Sequence, residues 1–242
     1  MMRRRDLAFL VLALTVAAAC LRLGFWQLDR LDERRAHNAL IRQRLALPPL
    51  ELTEVEWAEA DLAYRNAEGA GLWDPAYEFV LINRARGGVP GAHLVTPLQI
   101  EAGSVAILVD RGWVPQEAAG DEGREVYAAQ GIVHVSGVLK PAQQEPSWAF
   151  LADPTPVPGG PPRTGWRVLH IPWIQRQIPY PLAPYYLELT VPPSGGAQPE
   201  PEVAFDLSEG PHLGYAIQWF LFSGIALGGG AVWVRRRVRP VG

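Results

Sequence analysis

The chain has 242 residues, a formal net charge of −3 and an apolar share of 48%. That share is too high for a disordered chain and too low for a bundle of many membrane spans. The single cysteine, Cys20, excludes an intrachain disulfide, a CxxC redox pair and a thiolate zinc site.

The first predicted element is a transmembrane helix over residues 7–26, which follows a short N-terminal tail, residues 1–6. The sequence is apolar from Leu7 to Trp26 except at Arg22. A helix of this length extends about 30 Å, which is the thickness of the hydrocarbon core of a bilayer.

Two other interpretations of this segment stay open. Ala17, Ala18 and Ala19 resemble the small-residue cleavage site of a secretory signal peptide, and Cys20 directly after them resembles a lipoprotein acceptor. The apolar run continues past these alanines to Trp26, which favours an uncleaved anchor.

The helix is predicted to continue outward from the membrane over residues 27–47. This segment is charged, contains no glycine or proline, and places Asp29, Asp32 and Glu33 at helical spacing from arginines. The Pro48-Pro49 pair ends the predicted helix.

Short runs rich in β-branched and aromatic residues alternate with glycine and proline in the middle of the chain. They predict seven strands, at Ala63–Gly69, Glu78–Arg84, His93–Leu98, Ser104–Val114, Gly131–Leu139, Arg167–Ile171 and Tyr185–Val191. A short helix is predicted at Trp173–Ile178, with loops at Asp153–Pro162 and Pro192–Glu202. This pattern favours a small barrel or a sandwich, mainly antiparallel.

Local glycine patterns add finer predictions to this β domain. The Pro90-Gly91 pair fits a type II turn, in which glycine supplies the positive φ. Gly112 follows the most apolar strand and predicts a bulge, and Trp113 beside it is expected to pack against one end of the barrel.

The second transmembrane helix is predicted over residues 212–234. The segment Tyr215–Val234 contains no charge, and a bilayer tolerates its glycine run, Gly228–Gly230. Gly224 and Gly228 form a small-xxx-small pair, which is expected to pack the two spans together or, alternatively, to contact a partner helix.

The distribution of charge predicts the orientation. Arginines cluster in the two tails, residues 1–6 and 235–242, whereas residues 25–234 hold 14 basic and 24 acidic side chains. Basic residues mark the cytoplasmic side of a membrane, so both termini are predicted in the cytoplasm and residues 27–211 outside it. The acidic middle argues against a nucleic-acid partner.

The fold class that follows is an α+β protein of the cytoplasmic membrane, with two transmembrane helices flanking a mainly antiparallel β domain. The sequence contains no GxSxG, HExxH, P-loop or GxGxxG motif, and its carboxylates are scattered. We therefore expect no enzymatic activity. A membrane-anchored enzyme using exported carboxylates is the alternative, without a residue to assign to it.

His212 stands out because it lies at the outer end of the second span. Histidine near a membrane is costly unless it has a partner or a role. Two interpretations stay open: an imidazole bonded to water or a carbonyl, and an axial ligand of haem iron. Tyr215 and Trp219 follow on the same helical face. Arg30, at the matching end of the first span, is either an interfacial anchor or the partner of a carboxylate or propionate.

Four segments, in order along the chain, carry a resemblance to a known family. They are Gly24–Arg30 (GFWQLDR), the series Asn83-Arg84, Pro90-Gly91 and Thr96–Leu98, Val109–Pro115 (VDRGWVP), and His212–Phe220 (HLGYAIQWF). Together they resemble the surfeit-locus protein 1 family, the assembly factors for cytochrome c oxidase, over nearly the whole chain.

The resemblance implies two spans, both termini inside, and no established enzymatic activity. It implies a role in inserting or protecting haem a in the main oxidase subunit, with haem a synthase as a second partner. His212 is then the expected iron ligand, with Tyr215 and Trp219 lining the ring and Arg30 meeting a propionate. A scaffold that stabilises an oxidase intermediate without haem is the alternative. Many relatives have asparagines just before this histidine, where this chain has Ser208–Pro211.

Overall fold

A computed structural model describes residues 4–57, 61–100, 105–143, 153–154, 163–194, 197–201 and 205–238. Most of the predicted loop Asp153–Pro162, part of the loop Pro192–Glu202, Ser104 and the outermost residues of both tails lie outside these ranges. The chain forms two compact units, Met1–Arg42 with Asp206–Gly242, and Gln43–Phe205.

The α-helices of the described residues are α1 (Arg4–Leu45), α2 (Asp121–Arg124), α3 (Ile171–Ile174) and α4 (His212–Val238). The two long helices, α1 and α4, are apolar and long enough to cross a membrane, with peak mean hydropathies of 2.2 and 1.5. α1 runs without a break through residues 27–45, which confirms the predicted helical extension.

α1 and α4 pack antiparallel, and contacts follow their length. The rings of Phe9 and Trp233 lie 4.9 Å apart between centroids. In the middle, the Ser223 hydroxyl donates to the carbonyl of Ala17 over 3.0 Å. A Cβ placed on Gly24 would lie only 2.5 Å from the Phe220 ring. Gly24 therefore permits the close approach that glycine gives to packed membrane helices.

The predicted packing role of Gly224 and Gly228 between the two spans is wrong in the described residues. A Cβ placed on either glycine would meet no atom within 4 Å. Among the glycines of α4, Gly230 is the one that lies next to α1, because its Cβ would be 3.5 Å from the Cβ of Ala13. Helical geometry explains the difference. Ala216 marks the buried side of α4, and Gly224 and Gly228 lie about 80° and about 120° away from it around the helix axis.

The second unit is built from eight described strands. They are β1 (Leu50–Glu51), β2 (Asn66–Trp73), β3 (Phe79–Arg86), β4 (Val89–Ile100), β5 (Ala106–Pro115), β6 (Ile132–Pro141), β7 (Gly165–Trp166) and β8 (Leu182–Val191). Pairing in the order β2-β6-β8-β5-β4 returns to β2, so five of them close a ring. The β5–β8 pair in this ring is parallel and the others are antiparallel. The small-barrel alternative is confirmed.

The barrel is filled by side chains that alternate with outward-facing residues along the strands. The core residues with no exposed surface include Leu98, Ile107, Val109, Leu139 and Leu187. A second cluster, around Trp166 and Leu169, packs beside β3 and α3.

The turn between β3 and β4 differs from the prediction. Gly87 and Gly88 have φ of 58° and 83°, as the two-residue hairpin turn of type I′ requires. Pro90 and Gly91 lie in β4, where they pair with Ala85 and Arg84. The type II turn predicted at Pro90-Gly91 is wrong, because Gly87 and Gly88 form the turn and adopt its positive φ angles.

The predicted strand at Arg167–Ile171 is also wrong. β7 ends at Trp166, and the backbone N–H groups of Arg167 and Val168 donate to the Asp153 carboxylate over 2.8 and 3.1 Å. A carboxylate thus replaces the neighbouring strand as their acceptor, and α3 begins at Ile171. The predicted helix at Trp173–Ile178 is confirmed by α3 and the 3₁₀ turn Gln175–Gln177 that follows it.

Candidate functional site

The polar residues of the helix pair gather where α4 begins. His212 is the first residue of α4, and its Nδ1 lies 2.9 Å from Oε1 of Gln27 on α1. Gly210, with φ of 68°, turns the chain into the helix. The Tyr215 N–H closes the first turn on the carbonyl of Pro211 at 3.1 Å.

The contact with Gln27 determines which nitrogen of the imidazole bears the proton. An amide oxygen only accepts hydrogen bonds, so Nδ1 is the donor and Nε2 of the neutral ring carries the lone pair. Within the described part of the chain, no other hydrogen bond reaches the His212 ring. Nε2 lies beside Gly210, and a Cβ added to that glycine would be 3.7 Å from it. Because glycine has no side chain, the space next to Nε2 stays open.

His212 opens onto a cleft of about 320 Å³. Its lining residues come from one face of α1 and from the chain that leads into α4, and they are Arg30, Glu33, Arg34, His37, Asp206, Ser208, Gly210 and His212. The four α1 residues recur at three- and four-residue spacing, which places their side chains on one side of the helix.

The segment that leads into α4, residues 206–211, is here named the strap. Side chains of α1 hold its backbone carbonyls: Asn38 Nδ2 donates to Leu207 and Ser208 over 2.8 and 3.1 Å. Arg34 donates to the carbonyls of Asp206 and Ser208 over 2.9 and 3.1 Å. Asn38 is only 2% exposed, so this contact excludes water and fixes the strap on α1.

The ion pairs near the cleft join an arginine to a carboxylate, so their charges cancel. Arg30 pairs with Glu33 on α1, and Arg35 with Glu209 on the strap. The hydrogen bond from Arg35 lowers the pKa of Glu209, and hydrogen bonds from Ser208 lower the pKa of Asp206. Both strap carboxylates are therefore ionised at neutral pH.

The structure brings together some of the sequence-predicted site residues. His212 and Arg30 line the same cleft. Tyr215 and Trp219 lie on the next turns of α4 outside the cleft lining, Tyr215 being exposed and Trp219 half-buried. The Trp219 ring contacts Phe222, with centroids 6.0 Å apart.

The partners of these residues did not emerge from the sequence. Gln27 belongs to the motif segment Gly24–Arg30 but was not paired with His212, and neither Asn38 nor His37 stood out. The signal for the first pair was present, because both residues stand at the matching ends of two antiparallel spans. Nothing in the sequence around Asn38 indicates its burial.

A second polar cluster lies inside the barrel unit. Arg111 donates to Glu78 over 3.0 Å and to the carbonyl of Tyr127 over 2.7 Å. Thr96 donates to the same Glu78 oxygen over 2.6 Å. Burial lowers the pKa of the Arg111 guanidinium, and Glu78 partly offsets that effect. The charges of this cluster are paired, while Arg111 Nε is buried without a hydrogen-bond partner among the described residues.

The motif residues near Arg111 have structural roles. The pairing of β4 with β5 shifts register so that Gly112 opposes Leu94 and Asp110 opposes Val95, which confirms the bulge predicted at Gly112. The indole N–H of Trp113 donates to the carbonyl of Arg84 over 3.0 Å, and its ring lies where a Cβ on Gly91 would be. Two of the four motif segments, the series that contains Arg84 and Gly91 and the segment Val109–Pro115, thus contact each other in the barrel.

Among the described residues, no group of three or more histidine, cysteine, aspartate or glutamate side chains is placed to hold a metal ion. The barrel pair His93–Asp110 is buried, with Nδ1 2.9 Å from the carboxylate. His37 and His212 both line the cleft, and for His212 the contact with Gln27 through Nδ1 leaves Nε2 as the second ring nitrogen.

The chain is similar in sequence to known proteins. A model described as the SURF1 family matches residues 14–224. "Surfeit locus protein 1" of Mus musculus is 26% identical over 52% of this chain and 46% of its own length. A "SURF1-like protein" of Rickettsia felis is 36% identical over 38% and 39%, and one of Monosiga brevicollis is 24% identical over 91% and 84%. The chain spans less than half the length of the first two relatives.

Proposed function

The chain belongs to the SURF1 family, and from that premise we propose that it is a membrane-bound assembly factor for cytochrome c oxidase. In this proposal it assists delivery of haem a to the main oxidase subunit and is not an enzyme. α1 and α4 cross the cytoplasmic membrane, both termini lie in the cytoplasm, and the barrel lies outside. The main oxidase subunit, haem a synthase and the membrane lipid are the proposed partners.

The haem proposal rests on the hydrogen bonding of the His212 ring. Its Nδ1 is engaged by Gln27 at 2.9 Å, and a metal-binding histidine generally donates its second ring nitrogen in this way. The remaining nitrogen, Nε2, carries the lone pair that binds iron. The residues present would therefore hold a haem iron through a single ligand, the His212 imidazole.

The surroundings of His212 also suit a haem that must be released. The cleft volume, about 320 Å³, is at the lower end of the range for ligand pockets, so only one edge of a macrocycle would be enclosed. Arg30 uses one nitrogen on Glu33, and its other N–H groups suit a propionate. Tyr215 and Trp219 would lie against the apolar part of the ring. One ligand and an open cleft favour exchange.

The proposal is tested by replacing the ligand. The protein is purified from cells that make haem a and from cells that do not, as wild type, His212→Ala and His37→Ala. We expect a haem absorption spectrum in the wild type and in His37→Ala, and its loss in His212→Ala. His37 is a matched control because it lines the same cleft. An unchanged spectrum in His212→Ala would remove His212 from the site.

A second candidate function keeps the oxidase partner without haem. Gly224 and Gly228 lie off the contact with α1, with no atom within 4 Å of an added Cβ, and small residues on a membrane helix favour close contact with another helix. In this case the protein is a scaffold for a subunit intermediate. Oxidase assembly would then survive His212→Ala and be impaired by Gly224→Leu or Gly228→Leu.

A further inference from the structure

We infer that Gln27 is a positioning residue that fixes the tautomer and orientation of the His212 ring, so that Nε2 is the iron-binding atom. The inference rests on the proposed haem function. It adds which atom of His212 would bind iron and which residue would set the strength of that binding. It follows from a side-chain contact between residues 185 positions apart in the chain.

Helix packing delivers the Gln27 side chain to His212. Gly24 lies one turn before Gln27 on the same face of α1, and the Phe220 ring occupies the space that a side chain on Gly24 would take. The rings of Phe25 and Phe220 add a second contact, with centroids 5.3 Å apart. The backbone of α1 is therefore held against α4 next to the pair. Gln27 needs no rearrangement to reach the ring.

The contact has a chemical consequence beyond holding two helices together. With the amide oxygen of Gln27 facing Nδ1, the tautomer with the proton on Nε2 loses this hydrogen bond and regains one only if the amide turns over to present its NH2 group. A ring protonated at Nε2 presents no lone pair to the cleft. In the observed orientation Gln27 thus favours the form of neutral His212 that can bind iron, before any ligand arrives.

The choice of an amide over a carboxylate also matters. A charged acceptor makes a stronger hydrogen bond than a neutral one and raises the basicity of the imidazole. Glu33, a carboxylate on α1, is paired with Arg30 instead. His212 is therefore oriented by a neutral acceptor, which gives a competent but weak ligand. Weak ligation suits a site that passes its haem on.

The first arm of the test needs no haem. The full chain is labelled with ¹⁵N-histidine, purified in detergent without haem, and examined by NMR at one alkaline pH where imidazole is neutral. We expect the wild type and Gln27→Glu to show a protonated Nδ1 and an unprotonated Nε2 for His212. Gln27→Leu should shift the resonances toward the tautomer protonated on Nε2. Resonances unchanged in Gln27→Leu would overturn the inference.

The second arm measures haem a binding and the reduction potential of the bound haem. Removing a hydrogen-bond partner of a metal ligand typically lowers affinity about 10–100-fold, and we expect a loss of this size for Gln27→Leu. Gln27→Glu should bind more tightly than the wild type and have a lower reduction potential. An unchanged potential in Gln27→Glu would also overturn the inference.

Ser223→Ala is the matched structural control. It removes another buried hydrogen bond between the same helices, from Ser223 to the carbonyl of Ala17, without touching His212. If Ser223→Ala changed the potential as Gln27→Glu does, the role of Gln27 would be structural and the inference would fail. His212→Ala separates the two proposals: if it keeps the haem spectrum, His212 is not the ligand and that assignment fails together with the inference, whereas if it loses the spectrum and the Gln27 variants change nothing, the positioning role alone fails.

Discussion

The buried ion pair inside the barrel and the ion pair that joins α1 to the strap differ in their exposure to solvent. In the barrel, the Arg111 side chain is 1% exposed and that of its partner Glu78 is 10% exposed. On the helix pair, the partners Arg35 and Glu209 are 49% and 50% exposed. Buried charges must be satisfied within the protein, whereas exposed ones can exchange partners with little cost. Removing one partner should therefore cost far more at the buried pair than at the exposed pair.

The largest expected effect comes from breaking the barrel network. Arg111→Met leaves the Glu78 carboxylate buried without its cation, which should lower the free energy of unfolding by about 3–5 kcal/mol. Denaturant unfolding of the full chain, followed by tryptophan fluorescence, measures it. Arg86→Met is the control, because the Arg86–Glu200 pair is exposed and should cost at most about 1 kcal/mol. Equal effects of the two variants would contradict the comparison.

The next effect concerns the packing of the helices. Gly24→Ala places a methyl group against the Phe220 ring, and overpacking of this kind typically costs about 1–3 kcal/mol. Gly224→Ala adds the same methyl group where no atom is near, so it should be neutral or slightly stabilising. Thermal unfolding in detergent compares them. A destabilised Gly224→Ala would show that this face is already packed.

A smaller effect is expected at the strap. Asn38→Ala removes the side-chain donor from the carbonyls of Leu207 and Ser208. Ser208 keeps its hydrogen bond from Arg34, and the loss at Leu207 should cost roughly 1–2 kcal/mol. Hydrogen exchange of the strap amides would then accelerate about 5- to 30-fold. Arg42→Ala is the control, because its contact with Leu207 is long, at 3.4 Å. Exchange that is unchanged in Asn38→Ala would refute the proposed clamp.

The smallest effect is acid sensitivity of the strap. The pKa values of Asp206 and Glu209 are lowered in the folded protein by hydrogen bonds from Ser208 and Arg35. Their contribution to stability is therefore present above the ordinary pKa values of 3.8 and 4.5, and it is lost as the pH falls through the lower folded values. The protection factors of the strap amides, which correct for the slower intrinsic exchange in acid, should fall on going from neutral pH to about pH 3. The double variant Asp206→Asn with Glu209→Gln has no carboxylate to protonate there, so it should lose that pH dependence.

Much of the fold could be predicted because its signals are local. The uninterrupted apolar and charged segments predict α1, and the bulge at Gly112 follows from a glycine after an apolar strand. The strand predicted at Arg167–Ile171 failed because the distant Asp153 carboxylate binds its amides. The turn at Pro90-Gly91 failed because Gly87-Gly88 competes with it.

The site was predictable only in part, because local signals identify single residues whereas their contacts depend on packing between distant segments. His212 and Arg30 were found from their places at the ends of the spans. The contact of His212 with Gln27 depends on the relative register of two helices, and that register is set by packing at Gly24 and Phe220. The role of Asn38 depends on the path of the strap, which is an irregular segment without a sequence period.

α1 continues without a break from the proposed span to the level of the strap. Asn38 stands about 18 Å along the helix axis from Trp26, so a tilt of about 10° swings it sideways by about 3 Å. Long membrane helices tilt more in thin bilayers than in thick ones. In the proposed orientation, the position of the strap relative to the membrane surface would therefore depend on the thickness of the bilayer.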